Sequence, residues 1–121
     1  MIGESFAKEF VASWLAAWNS HDIEKIFALY EDDFEMKSPL IVERMKLDGG
    51  SLKGKDQIRP YWAIGLSANP PLKFELVSYF TGVDSIVIQY KSVSRKMVSE
   101  VLTFSRNGLV CKGVSHHANL G

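Results

Sequence analysis

KFELVSYFTGVDSIVIQYKSVSRKMVSEVLTFSRNGLVCKGVSHHA, residues 73–118, holds four runs rich in Val, Ile, Thr, Tyr and Phe. The runs are Lys73–Thr81, Asp84–Ser92, Lys96–Ser105 and Leu109–Ala118. Only Gly82-Val83-Asp84, Ser92–Arg95 and Asn107-Gly108 separate them. β-branched and aromatic runs bounded by turn residues predict strands, and links this short join only antiparallel neighbours. The segment is therefore predicted to be a four-strand meander.

Strand parity then sorts the side chains. Along 96–105 the even set, Val98, Glu100, Leu102 and Phe104, is more apolar than the odd set, Met97, Ser99, Val101 and Thr103. The even set is expected to face the core, which puts the Glu100 carboxylate among apolar neighbours. Burying an unpaired carboxylate costs several kcal/mol or keeps the group protonated. Asn107-Gly108 is the strongest short signal for a two-residue type I′ hairpin turn. With that turn Arg106 pairs with Leu109, Glu100 lies opposite Ser115, and Val98 lies opposite His117. Glu100, Ser115 and His117 then share the concave face and His116 points away. A one-residue slip would exchange the two histidines.

Upstream the period changes. Phe6, Phe10, Trp14 and Trp18, with Val11 and Leu15 beside them, form an apolar stripe at helical spacing over residues 5–19. Asp22 is a good N-cap for a second helix, with Ile23, Ile26, Phe27 and Tyr30 inward and Glu31-Asp32-Asp33 at its end. Residues 34–38 are expected to be a short strand stopped by Pro39. Residues 39–54 read as a long loop or lid containing Ile41-Val42 and Met45-Lys46-Leu47 as short strand candidates, with a turn at Asp48–Ser51. A third helix is predicted from Asp56 to Ser67, with Ile58, Tyr61, Trp62 and Leu66 inward and Pro60 disturbing its first turn. Helices first and a meander after them predict an α+β domain with helices on one sheet face. The whole chain, residues 1–121, is expected to form that one domain.

Composition excludes several function classes. The chain is 46% hydrophobic and 23% charged, which fits neither a disordered chain nor a disulfide scaffold. Fourteen Lys and Arg balance fourteen Asp and Glu, so no basic excess points to nucleic acid. A single cysteine cannot form an intramolecular disulfide. Glu4, Lys8 and Glu9 interrupt the N-terminal apolar residues, unlike a signal peptide. No apolar run approaches the ~20 residues of a membrane span. The expectation is a cytoplasmic domain with no nucleic-acid or membrane partner. No metal is expected either: His116 and His117 face opposite sides of a strand, and Cys111 lies ~20 Å along the strand from His117. Cys111 reads as a small buried filler. Absence of a glycine-rich phosphate loop or a Gly-x-Ser-x-Gly elbow leaves no cofactor signature.

Three motifs resemble one family. They are Trp14-Leu15-Ala16-Ala17-Trp18-Asn19-Ser20-His21-Asp22 followed by Ile26-Phe27-Ala28-Leu29-Tyr30-Glu31-Asp32-Asp33-Phe34, then Gly54-Lys55-Asp56-Gln57-Ile58-Arg59-Pro60-Tyr61-Trp62, then Glu100–Phe104 with Asn107-Gly108-Leu109-Val110. Together they resemble the nuclear transport factor 2-like superfamily, and within it the SnoaL-like and ketosteroid isomerase-like domains. The resemblance implies a curved, mixed but largely antiparallel sheet wrapped around three N-terminal helices as a cone with an apolar pocket. It also implies a homodimer through the sheet's outer face. Relatives include isomerases, dehydratases, aldol cyclases of the polyketide type, epoxide hydrolases and proteins without catalysis, so the fold alone does not choose an activity. Matched to ketosteroid isomerases, Trp14 stands at the oxyanion tyrosine, Ser38 at the base aspartate, and Glu100 at the second, protonated acid. With two of three roles replaced, steroid isomerisation is not expected.

Candidate roles follow. Glu100 would be a pocket acid or base, and His117 its partner or a second acid/base. Trp14, Trp18, Tyr30, Ser38, Trp62, Leu102 and Ser115 would line the ligand pocket. Glu100 is the obvious acceptor for a buried indole N–H. Arg44-Met45-Lys46 would sit on the loop as a solvated run or close over an anionic ligand. His21, in the turn between the first two helices, would have a capping or surface role. Three readings stay open: a cofactor-independent acid/base enzyme acting on a small hydrophobic molecule, a non-catalytic carrier of such a molecule, and a dimeric association module.

Overall fold

The computed structural model describes residues 1–119; the last two positions of the expected domain, Leu120 and Gly121, lie outside the described residues. In chain order the elements are α1 (Glu4–Ser20), α2 (Ile23–Phe27), β1 (Tyr30–Lys37), α3 (Pro39–Met45), β2 (Ser51–Lys53), α4 (Lys55–Leu66), β3 (Glu75–Thr81), β4 (Ser85–Lys91), β5 (Met97–Phe104) and β6 (Val110–His117). The strands form one curved, unclosed sheet in the order β2-β1-β6-β5-β4-β3. Every pair is antiparallel except β1 with β6, which is parallel. Register shifts interrupt the β1–β6, β3–β4 and β5–β6 ladders. Such bulges bend a strand and increase its twist, and here they curl the sheet around the helices. The result is the expected α+β cone, with four helices rather than three.

α1 buries Ala7, Phe10, Val11, Trp14, Ala17 and Trp18. Phe6, expected in that stripe, is 39% exposed and packs edge-on against Phe104 at the rim. His21 closes α1 in the left-handed region (φ 63°), and its Nε2 donates to the Leu72 carbonyl at 2.6 Å. Asp22 caps α2 as its sequence position predicts, accepting from the Glu24 N–H at 3.0 Å.

The structure departs from expectation between residues 28 and 54. α2 stops at Phe27, and Tyr30 begins β1, so Glu31-Asp32-Asp33 lies in a strand instead of ending a helix. Partners elsewhere in the chain hold two of these acids: Ser105 and Asn107 donate to Glu31, and Asp32 pairs with Lys55 at 2.9 Å. Pairing with β2 and β6 overrides the weak local preference. The 39–54 segment is not an open loop. Ser38 accepts the Leu40 N–H at 3.2 Å, Pro39 occupies the first turn, and α3 follows. A serine N-cap followed by proline is a helix start, although Pro39 also reads as a strand stop. Ile41 points into the core and β2 pairs with β1, so neither proposed short strand at 41–47 exists. Pro60 lies inside α4 beyond its first turn, and the helix continues through it.

The β5–β6 hairpin reaches the expected register by a different route. Glu100 pairs with Ser115 and Val98 with His117, as the parity argument requires. The turn, however, is not a two-residue type I′. The Ser105 N–H donates to Leu109, so Arg106-Asn107-Gly108 is a three-residue loop, and of its members only Gly108 has positive φ (75°). That loop displaces the pairing by one residue at Phe104–Val110. A bulge at Cys111 restores it by Thr103–Lys112. Cys111 is consequently half-buried, with Sγ on the Thr103 carbonyl, and is not a core filler. The bulge also explains why Val110 and Gly113, three residues apart, both face inward.

Candidate functional site

The inward faces of α1, α4 and the sheet leave an open-ended cavity of about 490 Å³. This lies within the range of small-molecule pockets. Aromatic rings make its walls. Trp14, Phe74 and Tyr90 pack on one side, with Phe74 and Tyr90 centroids 4.2 Å apart. Trp18, Trp62 and Tyr30 pack on the other. These rings come from elements separated by up to 76 positions, and the sheet's curvature brings them together.

Glu100 is the charged residue of the floor. Its inward parity on β5 buries it to 6% exposure. Ser115, directly opposite on β6, donates to Oε1 at 2.6 Å, and Tyr90, from β4, donates to the same oxygen at 3.1 Å. The second oxygen, Oε2, has no hydrogen-bond partner among the described residues, and it is not among the fully enclosed unpaired atoms. It therefore reaches the cavity that Glu100 lines. Burial pushes the Glu100 pKa up, and the Ser115 and Tyr90 hydrogen bonds pull it part of the way back. Burial likewise raises the tyrosines, with Glu100's charge adding to the effect at Tyr90 and Tyr30, so all stay protonated donors.

Trp14 does not donate to Glu100. Its Nε1–H goes to the Tyr30 hydroxyl at 2.9 Å, deep in the core. Tyr30 is thereby an acceptor whose own O–H has no acceptor among the described residues, and the residue lines the cavity. Trp18 Nε1 is fully buried without a partner. It lies near enough to the Tyr30 hydroxyl to temper that group's pKa, but outside hydrogen-bond geometry. Ser38 lines the cavity, yet its oxygen already accepts from Leu40 and from the Tyr61 hydroxyl at 3.2 Å. It serves as a helix cap and holds Tyr61 in place.

Most of the expected site residues meet here: Glu100, His117, Trp14, Trp18, Tyr30, Ser38, Trp62 and Ser115 all line the cavity. Leu102 does not. It is fully buried in the core, beside Gly113 on the neighbouring strand. His117 shares the face of Glu100 but makes no hydrogen bond to it. It sits toward the mouth, where partial burial and then the charges of Lys96 and Arg44 lower its pKa. His116 is exposed on the other face. Tyr90 and Lys96 were not singled out from sequence. Extending strand parity to β4 would have found Tyr90, since Ile88 pairs with Glu100 and Tyr90 is the next residue on that face. Among the described residues no group of three or more His, Cys, Asp and Glu converges as metal ligands would, and no helix is long and apolar enough to cross a membrane.

Comparison with known proteins adds the following. A family model described as a SnoaL-like domain matches residues 11–116. A SnoaL-like protein of unknown function from Burkholderia thailandensis is 38% identical, over 98% of this chain and 98% of its own, with a TM-score of 0.94. A candidate polyketide cyclase from Sinorhizobium meliloti shares the fold at 13% identity, over 89% of this chain and 94% of that one, with a TM-score of 0.71. TerC, co-crystallised with polyporic acid, shares it at 16% identity, over 95% and 93%, with a TM-score of 0.76. At these last two identities the likeness concerns the fold alone. No curated protein matches the chain.

Proposed function

The chain belongs to the SnoaL-like domain family, and from that premise we propose that it binds a small, largely apolar molecule in the cone and moves a proton on it with Glu100. One observation carries this reading. Two hydroxyl donors fix Oε1 of Glu100, while Oε2 opens on the cavity and burial raises the carboxyl's pKa above the ordinary carboxylate value. A carboxyl group so placed can take or give a proton near the working pH. Ionised, it would remove a proton from carbon next to a carbonyl, the electron pair passing to the carbonyl oxygen. The free Tyr30 O–H is the donor suited to that oxygen. Return of the proton to another carbon gives isomerisation; loss of a leaving group gives dehydration; attack on a second carbonyl gives cyclisation. Hydrolysis would use the same carboxylate to activate water. His117, at the mouth, serves as a further hydrogen-bonding group for the ligand rather than as the partner of Glu100. A candidate cyclase and a protein crystallised with polyporic acid share this fold, which agrees with a small-molecule ligand.

The reading includes a homodimer through the outer sheet face. Val87, Val101 and Val114 stand side by side across β4, β5 and β6, on positions alternate to the buried ones. An apolar row of this kind in a chain without net charge favours self-association. A lone thiol suits a cytoplasmic setting.

The test is a thermal-shift screen with aromatic ketones and enones, followed by Glu100→Gln. A ligand at 100 times its Kd should stabilise the fold by about 2.7 kcal/mol. The glutamine variant should bind a converted ligand within about tenfold of wild type, ~1.4 kcal/mol, and lose turnover. Binding without conversion by wild type would make the protein a carrier. A cavity that no apolar compound stabilises would overturn the reading and leave the association module.

A further inference from the structure

The mouth of the cavity is cationic although the chain as a whole is neutral. Two fixed cations line it, Arg44 from α3 and Lys96 from the β4–β5 connection, with His117 on β6. Arg44 is exposed, but its guanidinium leans on α4. It lies where Gly65 lacks a side chain: a Cβ there would be 3.5 Å from Nη1. Neither Arg44 nor Lys96 has a carboxylate within ion-pair distance among the described residues. Both cations approach His117 closely enough to lower its proton affinity; the carboxylate acting on it from nearby is the exposed Glu43. The carboxyl residue of the lining itself is the buried Glu100, whose burial favours the neutral form. Tyr61 also lines the cavity, its hydroxyl within electrostatic range of both Arg44 and Glu100.

We propose that the ligand is a flat apolar molecule carrying an anionic group, with the rings among the tryptophans and the anion at the mouth on Arg44, Lys96 and His117. This rests on the cavity being a ligand site, as proposed above, and adds the ligand's class and its direction. Cations without a carboxylate partner among the described residues, set beside an apolar wall, attract an anion more strongly than the same charges in open water. A planar guanidinium suits a carboxylate through two parallel hydrogen bonds. The orientation places the far, uncharged end of the molecule at Glu100 Oε2 and keeps its charge away from that carboxyl.

The experiment compares 2-naphthoate with its neutral isostere 2-naphthamide by calorimetric titration at low salt and pH 7. Wild type should bind the naphthoate at least tenfold more tightly, and the advantage should shrink as salt rises. In the double variant Arg44→Gln, Lys96→Gln the two compounds should bind alike. Both residues are exposed, so a melting curve suffices to confirm that the variant is folded. Equal affinities in wild type, or an advantage that survives in the double variant, would overturn the inference while leaving the cavity a ligand site. Failure of both compounds to bind would remove the ligand site itself and the inference with it.

Discussion

Replacing Glu100 with glutamine should make stability less dependent on pH, and the size of the effect follows from the floor of the cone. Glutamine keeps the volume, and its amide oxygen can accept from Ser115 and Tyr90 where Oε1 does now. What it removes is the ionisable proton. An unfolded chain releases the Glu100 proton near 4.5, whereas burial makes the folded chain hold it to higher pH. Between those two values the native state binds more protons than the unfolded state, so stability falls as pH rises. The slope approaches 1.4 kcal/mol per pH unit at most, about 5 °C in Tm for a domain of this size. The fall is complete once pH exceeds the folded pKa. His117, whose folded pKa is lowered, contributes the opposite slope, but wild type and variant share it and it cancels in their difference. Unfolding followed by tryptophan fluorescence from pH 4.5 to 9 measures that difference directly, since Trp14, Trp18 and Trp62 are all buried. Glu100→Gln should gain on wild type with rising pH and then reach a plateau. A difference that stays flat would mean that Glu100 ionises at its ordinary value, and the argument for proton transfer by a carboxyl of raised pKa would fail.

Three other outcomes follow. Ser115→Ala removes the 2.6 Å donor that favours the charged carboxylate, so the plateau of the same pH profile should move to higher pH; movement to lower pH would contradict the assigned hydrogen bond. Gly108→Ala should cost about 1–2 kcal/mol in urea unfolding because of its left-handed backbone. Asn107→Ala should cost clearly less, and equal costs would restore the two-residue turn. Val101→Glu, set in the outer valine row, should convert a dimer to a monomer in light scattering at ~10 µM while leaving ligand binding intact; a wild type already monomeric would refute the dimer.

Much of this architecture is written in local periodicity. The 3.6-residue stripe of Phe10, Trp14 and Trp18 specifies α1, and the alternation of Val98, Glu100 and Leu102 specifies which face of β5 is buried. A buried acid among apolar neighbours is legible for the same reason: a period of two leaves no choice of side once the core face is known. Periodicity does not say where along a face a side chain finds its partner. It could not show that Trp14 donates to Tyr30, that Leu102 is buried in the core, or that His117 sits with Lys96 and Arg44 instead of Glu100. The pairing of Glu100 with Ser115 shows the boundary well. The hydrophobic faces demanded that register, and the three-residue turn with its bulge at Cys111 is how the chain satisfies them. From 28 to 54 the outcome was divided: strand pairing with distant residues decided β1 and β2, whereas the local Ser38-Pro39 cap started α3. Sequence alone therefore determined the layers, the buried acid and its face. Tertiary structure decided the free oxygen, the cationic mouth and the cavity between them, because these depend on sheet curvature and contacts between residues far apart in the chain.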